Sequence, residues 1–341
     1  MISRVLRALA VSALALSVAL GALPHAARAD APTVTVSRGF GILYLPMMVA
    51  EDQKLIEKHA QKLGLKGVTV SWLTLDGGNV INDAMLAGSL SYAAIGVAGF
   101  LTLWSKAKGN PNVEIVGVSG LSRSALLLNT NNPKIKSLKD FGPSDKIALP
   151  GIKTSQAAVV LEMAAAKEFG YAGYDRLDPF TVGLAHPDAY ASLVAGRGSI
   201  DAHFGSPPYS NLEIEKPGIH TVFDSTKLLG DASVDVVYTT RKFNDANPKI
   251  TEAVIAALDE ANAYIRKNHR GAAEAYLRVS KAKAAPEDIM KMLDDPKNVF
   301  STTPTGTMIY ADFMHKVGSI KTTPATWKDL FVPAIQSRPG S

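Results

Sequence analysis

The sequence predicts an α/β protein of two lobes, each a mostly parallel sheet flanked by helices, with two crossings of the chain between them. Three observations carry this expectation. Residues 181–209 read as a strand ending at Val182, a polar loop, a helix opened by Pro187 and closed at Gly196, then a strand reaching Phe204. Residues 68–101 repeat that β-α-β plan, and the two copies align loosely at Leu86-Ala87-Gly88-Ser89 and Val194-Ala195-Gly196. Finally, strand and helix alternate without a break as far as Val118, as parallel pairing through crossover helices requires. Ligands of such units bind beyond the carboxyl ends of the strands, where helix N-termini and free backbone N–H groups collect. Two units give two binding edges.

A first strand, Thr33-Val34-Thr35-Val36, turns out through Arg38-Gly39-Phe40-Gly41. Residues 44–63 carry Leu45, Met48, Val49, Leu55, Ile56 and Leu63 as one helical stripe closed by Gly64. After the first β-α-β unit, residues 100–106 read as helix and 113–118 as a buried strand. Small residues at Ser119, Gly120 and Ser122 then mark a crossing into the second lobe. That lobe holds a strand at 146–149, the turn Pro150-Gly151-Ile152-Lys153, a helix at 154–169 stopped by Gly170, the 181–209 unit and a last strand at 219–223. Residues 234–239 alternate enough to be the strand that returns to the first lobe. Asn247 and Pro248 open a helix striped by Ile250, Val254, Ala257, Leu258, Ala261 and Ile265. Shorter helices follow at 271–279, 286–293 and 306–317, and the tail around Trp327 and Phe331 is expected on a lobe surface. The domain reading is 30–120 and 234–341 for the first lobe and 121–233 for the second.

Residues 1–29 stand apart. Arg4 and Arg7 precede an apolar run from Ala8 to Leu23, and Ala27-Arg28-Ala29 supplies the small-x-small pattern that a secretory peptidase cuts. The run falls short of the ~20 apolar residues a membrane span needs. A removable signal peptide and a periplasmic, soluble, monomeric mature chain are therefore expected. The formal charge of +5 falls to about +2 once Arg4, Arg7 and Arg28 leave, which argues against the clustered basic face of a nucleic-acid binder. With 0 cysteines, disulfides, thiolate metal sites and cysteine nucleophiles are excluded, so stability rests on the core that 47% hydrophobic residues can build.

The sequence contains no Gly-x-x-x-x-Gly-Lys-Ser/Thr loop, Gly-x-Gly-x-x-Gly turn, His-Glu-x-x-His helix or Gly-x-Ser-x-Gly elbow. His186, Asp188, Asp201 and His203 are metal-ligand types at the edge of the second unit. A capping Asp188 and a core or ligand-facing His203 explain them better, so neither a metal nor another cofactor is expected. Lys153-Thr154-Ser155-Gln156 is more specific: a strand ends, Pro150 and Gly151 turn the chain, and Thr154 or Ser155 caps an apolar helix whose first N–H groups are free for an anion. Asp76-Gly77-Gly78-Asn79 offers the same in the other lobe, with Asn79 as cap and two glycines that admit a ligand to the backbone. These two helices are expected to face each other across a gap. Phe40, Tyr44, Phe204 and Tyr209 lie near strand ends as candidate apolar walls, and Gly205-Ser206-Pro207-Pro208 ends a strand with little bulk. Trp72 and Trp104 are assigned to the core.

At these residues the chain resembles the substrate-binding proteins of ABC importers in the nitrate, sulfonate and taurine (NMT1-like) family. The matching features are the turn at 39–46 followed by a helix, Leu86-Ala87-Gly88 before a strand ending in Gly96, Leu138-Lys139-Asp140 before Lys146-Ile147-Ala148, the capped helix at Thr154, and His186-Pro187-Asp188-Ala189 through Leu193-Val194-Ala195-Gly196 to Asp201-Ala202. The resemblance implies a two-lobed type II periplasmic-binding-protein fold that closes on a small ligand and hands it to an inner-membrane ABC permease, not an enzyme. Carried over residue by residue, it implies ligand contact at Phe40 and Tyr44, Gly78 and Asn79, Gly96 and Val97, Ser122 and Arg123, Lys153, Thr154, Ser155 and Gln156, Asp188, His203, Ser206 and Pro207. Two places depart from many members: the frequent Trp-Glu-Pro reads Gly205-Ser206-Pro207, and the frequent Asp-Phe reads Ser91-Tyr92. The leading expectation is capture of a sulfonate, nitrate or carboxylate between helix N-termini. One alternative is a receptor for a thiamine-precursor pyrimidine or another heteroaromatic stacked on Phe40, Tyr44 or Phe204. A further one is an exported enzyme with His203 and Asp188 as acid-base partners.

Overall fold

A computed structural model of the protein describes residues 33–341 apart from Arg197, and the signal peptide expected at residues 1–29 lies outside the described residues. The chain opens with β1 (Thr33–Arg38), α1 (Leu45–Asp52), α2 (Leu55–Lys62), β2 (Thr69–Thr74), α3 (Gly78–Leu86), β3 (Tyr92–Gly96), α4 (Val97–Ala107) and β4 (Ile115–Arg123). It crosses to β5 (Leu127–Thr130), β6 (Ile147–Leu149), α5 (Gln156–Phe169), β7 (Thr181–Gly183), α6 (His186–Ala195), β8 (Ala202–Gly205), α7 (Tyr209–Ile214), β9 (His220–Asp224) and α8 (Thr226–Leu229). It then returns through β10 (Asp235–Thr240), α9 (Arg241–Ala246), α10 (Pro248–Lys267), α11 (His269–Ser280), α12 (Pro286–Asp294), β11 (Val299–Phe300), α13 (Thr307–Lys316) and α14 (Pro333–Gln336).

The strands form two sheets, ordered β11-β4-β10-β3-β1-β2 and β7-β6-β8-β5-β9. In the first, β1 is parallel to β2 and β3 while β10 runs antiparallel between β3 and β4, so β1 to β4 share one direction. In the second, β6 is parallel to β7 and β8, and β5 is antiparallel to both neighbours, which leaves β5 alone reversed. The expected mostly parallel α/β architecture is therefore present. Two of its exceptions have a cause: β5 and β10 are the strands entered from the two crossings, so they run opposite to the strands built by β-α-β repetition, while the short β11 also pairs antiparallel with β4.

Parallel strands covered on both faces must be apolar throughout, and β3, Tyr92-Ala93-Ala94-Ile95-Gly96, is buried at every position. Ser155 caps α5, its Oγ accepting the Ala158 N–H at 3.2 Å, and Gly170 ends that helix at φ 82°. The single helix expected over 44–63 is instead broken into α1 and α2, with Lys54 in the left-handed region at φ 50°. The apolar stripe does not explain the break: Leu45, Met48, Val49, Leu55 and Ile56 fall within about 120° of a helical wheel, and all five are buried. Of the two tryptophans assigned to the core, Trp104 is buried and Trp72 packs partly buried against it. The tail goes deeper than a surface position: Phe331 is buried, bridges Gly117 of β4 and lies 5.8 Å from the Phe100 ring.

Candidate functional site in the cleft between the sheets

A cleft opens where the strands end. Its walls are Phe40 after β1, Asp76 to Gly78 after β2, Gly96 at the end of β3, Pro150 after β6, His186 after β7 and Ser206 after β8, completed by Tyr44, Leu126, Thr154 to Ala157 and Asp235. Every parallel strand but β4 thus delivers its carboxyl end to one place, as crossover connections of one hand require.

Eight of the expected site residues line this cleft: Phe40, Tyr44, Gly78, Gly96, Thr154, Ser155, Gln156 and Ser206. Ser122 stands just behind, its Oγ donating to Asp235 Oδ2 at 3.1 Å. The other expected residues stand outside this lining. Asn79 is not a cap: Gly77 holds the N-cap position, and Asn79 sits inside the first turn of α3 with its side chain exposed. Val97 is buried in the first turn of α4, its N–H given to the Val234 carbonyl. Arg123 and Lys153 turn to nearby acids, Arg123 to Asp231 at 3.1 Å and Lys153 to Asp178 at 3.6 Å. Thr154 does not cap α5, and its Oγ1 donates to the Ile152 carbonyl. Asp188 is an exposed acid in the first turn of α6. Pro207 contributes its carbonyl to Ile42 N–H at 3.1 Å. Phe204 is a core residue set edge-on to Phe223.

Three further polar residues, absent from the expected set, line the cleft: Asp76 in the loop before α3, His186 at the start of α6, and Asp235. Asp235 opens a strand that is otherwise Val-Val-Tyr, and a carboxylate heading a buried strand is the signal that marks it. Its two oxygens accept from Tyr44 Oη at 3.2 Å and Ser122 Oγ at 3.1 Å. Burial pushes the Asp235 carboxyl up to about 7, with Ser122 and Tyr44 acting the other way and Asp76 adding to the rise. Burial likewise raises Asp76 to about 6, although it accepts the Gly77 N–H at 3.0 Å and the His186 N–H at 3.4 Å. Among the described residues, no lysine or arginine lines the cleft.

His203 lies behind His186 rather than in the cleft, and it is not near enough to Asp188 to share a bond with it. His186 Nδ1 and His203 Nε2 are 2.8 Å apart, and His203 Nδ1 meets Glu213 Oε1 at 2.5 Å. Glu213 Oε2 accepts from Asn129 Nδ2 at 2.9 Å, and all three members of the chain are buried. Burial and, after it, the neighbouring His203 hold His186 well below the ordinary histidine range, so its ring stays neutral. His186 Nε2 has no hydrogen-bond partner among the described residues. Whether it offers the cleft a proton or a lone pair follows from which way the bond to His203 runs. Gln156 adds a second polar group: its Oε1 accepts the Ala98 N–H at 2.9 Å, while its buried Nε2 is unpartnered. The Tyr310 phenol, whose acidity Gln156 influences, donates to the Ser233 carbonyl instead.

The two sides of the cleft are in contact. Ile42 N–H to Pro207 and His186 N–H to Asp76 tie them together, and the cavity left between them is about 50 Å³. Glycine makes this approach feasible: a Cβ on Gly77 would lie 2.8 Å from the Pro150 carbonyl oxygen, and one on Gly78 would lie 2.7 Å from that of Thr154. Gly78 has an ordinary helical backbone, so Gly78→Ala should leave α3 intact, since Ala is the better helix former by roughly 0.8–1 kcal/mol. The expected result is a wedge that holds the two sides apart, read as a larger radius of gyration in small-angle scattering with an unchanged circular dichroism spectrum. A radius equal to that of the unsubstituted protein would mean the contact relaxes locally instead.

Two sheets of this order, flanked by helices and meeting at a cleft of strand ends, define the two-lobed fold of periplasmic binding proteins. The alkanesulfonate-binding protein SsuA from Xanthomonas axonopodis pv. citri, bound to MOPS, superposes with a TM-score of 0.68 at 16% identity over 86% of this chain and 96% of that one. The nitrate-binding protein NrtA from Synechocystis PCC 6803 gives 0.67 at 14% identity over 87% and 83%. The periplasmic aliphatic sulphonate binding protein SsuA from Escherichia coli gives 0.64 at 19% identity over 88% and 92%. No curated protein sequence matches. The NMT1-like family model matches residues 29–279, and the chain belongs to that family.

Proposed function

We propose that the protein is the periplasmic solute-binding component of an ABC importer, closing on a small ligand in the cleft and presenting it to an inner-membrane permease. Family membership and the fold shared with sulfonate- and nitrate-binding proteins support this. So does the chemistry of the cleft: Asp76, Asp235, His186 and Gln156 present hydrogen-bonding groups to a molecule held there. The expected acid-base pair of His203 and Asp188 is not assembled. Capture needs only that the ligand bind the shut form better than the open one.

The ligand class follows from charge. Above pH 7 a lone nitrate or sulfonate in this cleft would face two carboxylates and, among the described residues, no cation, a repulsive arrangement. The geometry favours a ligand that presents hydrogen-bond donors, an amine or an amino-substituted heteroaromatic, to Asp235 and Asp76, with Gln156 Nε2 left to donate to it. The two carboxylates facing one cavity without a basic residue carry this reading. A thermal-shift panel tests it by setting alkylamines and aminopyrimidines against nitrate, sulfonates and simple carboxylates, since a ligand at 100 times its Kd adds about 2.7 kcal/mol of stability. Stabilisation by the donors supports the reading. Stabilisation by nitrate alone, unaffected by Asp235→Asn, overturns it.

A pH dependence follows. A cationic donor prefers the carboxylates ionised, so its affinity should rise as pH climbs through about 6 and about 7, where Asp76 and Asp235 lose their protons. Calorimetric titration at pH 5.5 and 8 should show tighter binding at pH 8 with protons released on binding at the lower pH. Flat affinity across that range would contradict direct contact with either carboxylate.

A further inference from the structure

A second cavity of about 270 Å³ adjoins the cleft, and Phe40 lines both. The first space, about 50 Å³, is a third of what admits a benzene ring. A ligand larger than a few atoms must therefore extend past it. The second cavity's walls come from both sides of the molecule: Arg38, Thr74 and Tyr276 belong to the part built on the six-stranded sheet, while Pro187 and Tyr209 belong to α6 and α7 beside the other sheet. Among the described residues its only charged wall residue is Arg38, at the carboxyl end of β1 and 5% exposed. Arg38 gives its Nε–H to Glu51 Oε2 at 3.0 Å, and among the described residues neither Nη has a hydrogen-bond partner. Burial raises the Tyr276 hydroxyl to about 12 against the opposing pull of Ser280 and the Arg38 charge, so the guanidinium is felt across the cavity.

We infer that this cavity is an oxyanion subsite in which the two free Nη groups of Arg38 hold a carboxylate, sulfonate or phosphate carried by the same ligand whose donor end faces Asp235 and Asp76. The inference rests on the cleft reading above and deepens it to a ligand class: a donor at one end, an oxyanion at the other, and a body that passes Phe40. A buried guanidinium oriented through Nε presents its Nη edge as a ready-made fork for two oxygens. Glu51 fixes that orientation and offsets part of the charge, so the subsite holds a bare anion weakly and gains from a tether to the first subsite. Because both sides of the molecule wall the cavity, an oxyanion bound there favours the shut form, which couples its recognition to closure.

The test uses the mature protein and two sets of probes. Sulfate and inorganic phosphate, titrated at constant ionic strength against chloride, should shift the amide resonances of Phe40, Thr74 and Ser280 saturably. Arg38→Gln should abolish those shifts, and Glu51→Gln should strengthen binding several-fold by removing the offsetting charge. Taurine should bind about tenfold tighter than ethylamine, a difference of ~1.4 kcal/mol, and Arg38→Gln should erase that margin while leaving ethylamine affinity near its original value. Anion shifts that persist in a folded Arg38→Gln protein, or that never exceed the chloride control, overturn the subsite. If ethylamine binds with no preference for its sulfonated counterpart, the cleft reading stands and the subsite falls. If neither amine binds while sulfate still moves those three amides in an Arg38-dependent way, the subsite stands and the cleft reading falls.

Discussion

Asp235→Asn should make the ligand-free protein more stable at pH 8, by roughly 2–4 kcal/mol, while sharply weakening capture of a donor ligand. Asp235 has a folded-state pKa of about 7 against an ordinary value of 3.8, raised chiefly by burial. A raised carboxyl is neutral, and costs nothing, below about pH 4; the stability is lost as pH rises through 7, where the native state must carry a buried negative charge. Three units correspond to roughly 4 kcal/mol at pH 8, and part of that remains because the Asn amide must still satisfy Tyr44 and Ser122. Asn keeps the shape and one acceptor oxygen, so the Tyr44 bond survives and Ser122 can reverse its hydroxyl to accept. Urea melts at pH 4.5 and 8 measure the effect: the variant should gain at pH 8 and show little difference at pH 4.5. A loss of stability at pH 8 would mean the carboxylate holds the fold together. A gain is the mark of a group kept for binding at the expense of stability, as ligand sites commonly are.

The architecture was readable because it depends on patterns that local sequence carries. Gly170 and Gly196 stop helices, Ser155 caps one, and period-two and period-3.6 stripes distinguish strand from helix. The break at Lys54 was not legible, because Leu45, Met48, Val49, Leu55, Ile56 and Leu63 stay within about 120° of a helical wheel and so read as one straight helix. The site was legible at the level of the backbone, since Gly78, Gly96 and Thr154 to Gln156 sit where strands end. It was not legible in its charges. Arg123 and Lys153 looked like anion contacts because sequence does not show that Asp231, 108 positions on, and Asp178 already hold them. The carboxylates that replace them come from a loop and from the return strand, two segments that meet only after both crossings are made. Glu213 is further from view still, since nothing in its helix shows that it ends a chain of buried rings leading to the cleft.

That chain supports the second large effect. Glu213→Ala should cost about 3–5 kcal/mol, because it strips the buried His203 Nδ1 and the Asn129 amide of their acceptor at once. Glu213→Gln is the more informative variant. Its single oxygen can satisfy Asn129 Nδ2 or His203 Nδ1–H, and its amide group is a donor to whichever remains. If the oxygen stays with Asn129, the amide must donate to His203 Nδ1, which then carries no proton. His203 then bears its proton on Nε2 and donates to His186 Nδ1. His186, neutral because burial keeps it so, is thereby forced to hold its own proton on Nε2, facing the cleft. One buried substitution two rings away would thus fix a donor at His186; in the native protein a neutral His203, protonated on Nδ1 by its bond to the carboxylate, leaves His186 an acceptor there, whereas a charged His203 donates from Nε2 and leaves it a donor. The stability cost should be only about 1–3 kcal/mol. Nitrogen chemical shifts of the two imidazoles distinguish the tautomers directly, and ligands that donate to His186 should lose affinity in Glu213→Gln while those that accept gain it. Unchanged imidazole shifts in a folded Glu213→Gln protein would show that Glu213 packs against His203 without ordering its protons.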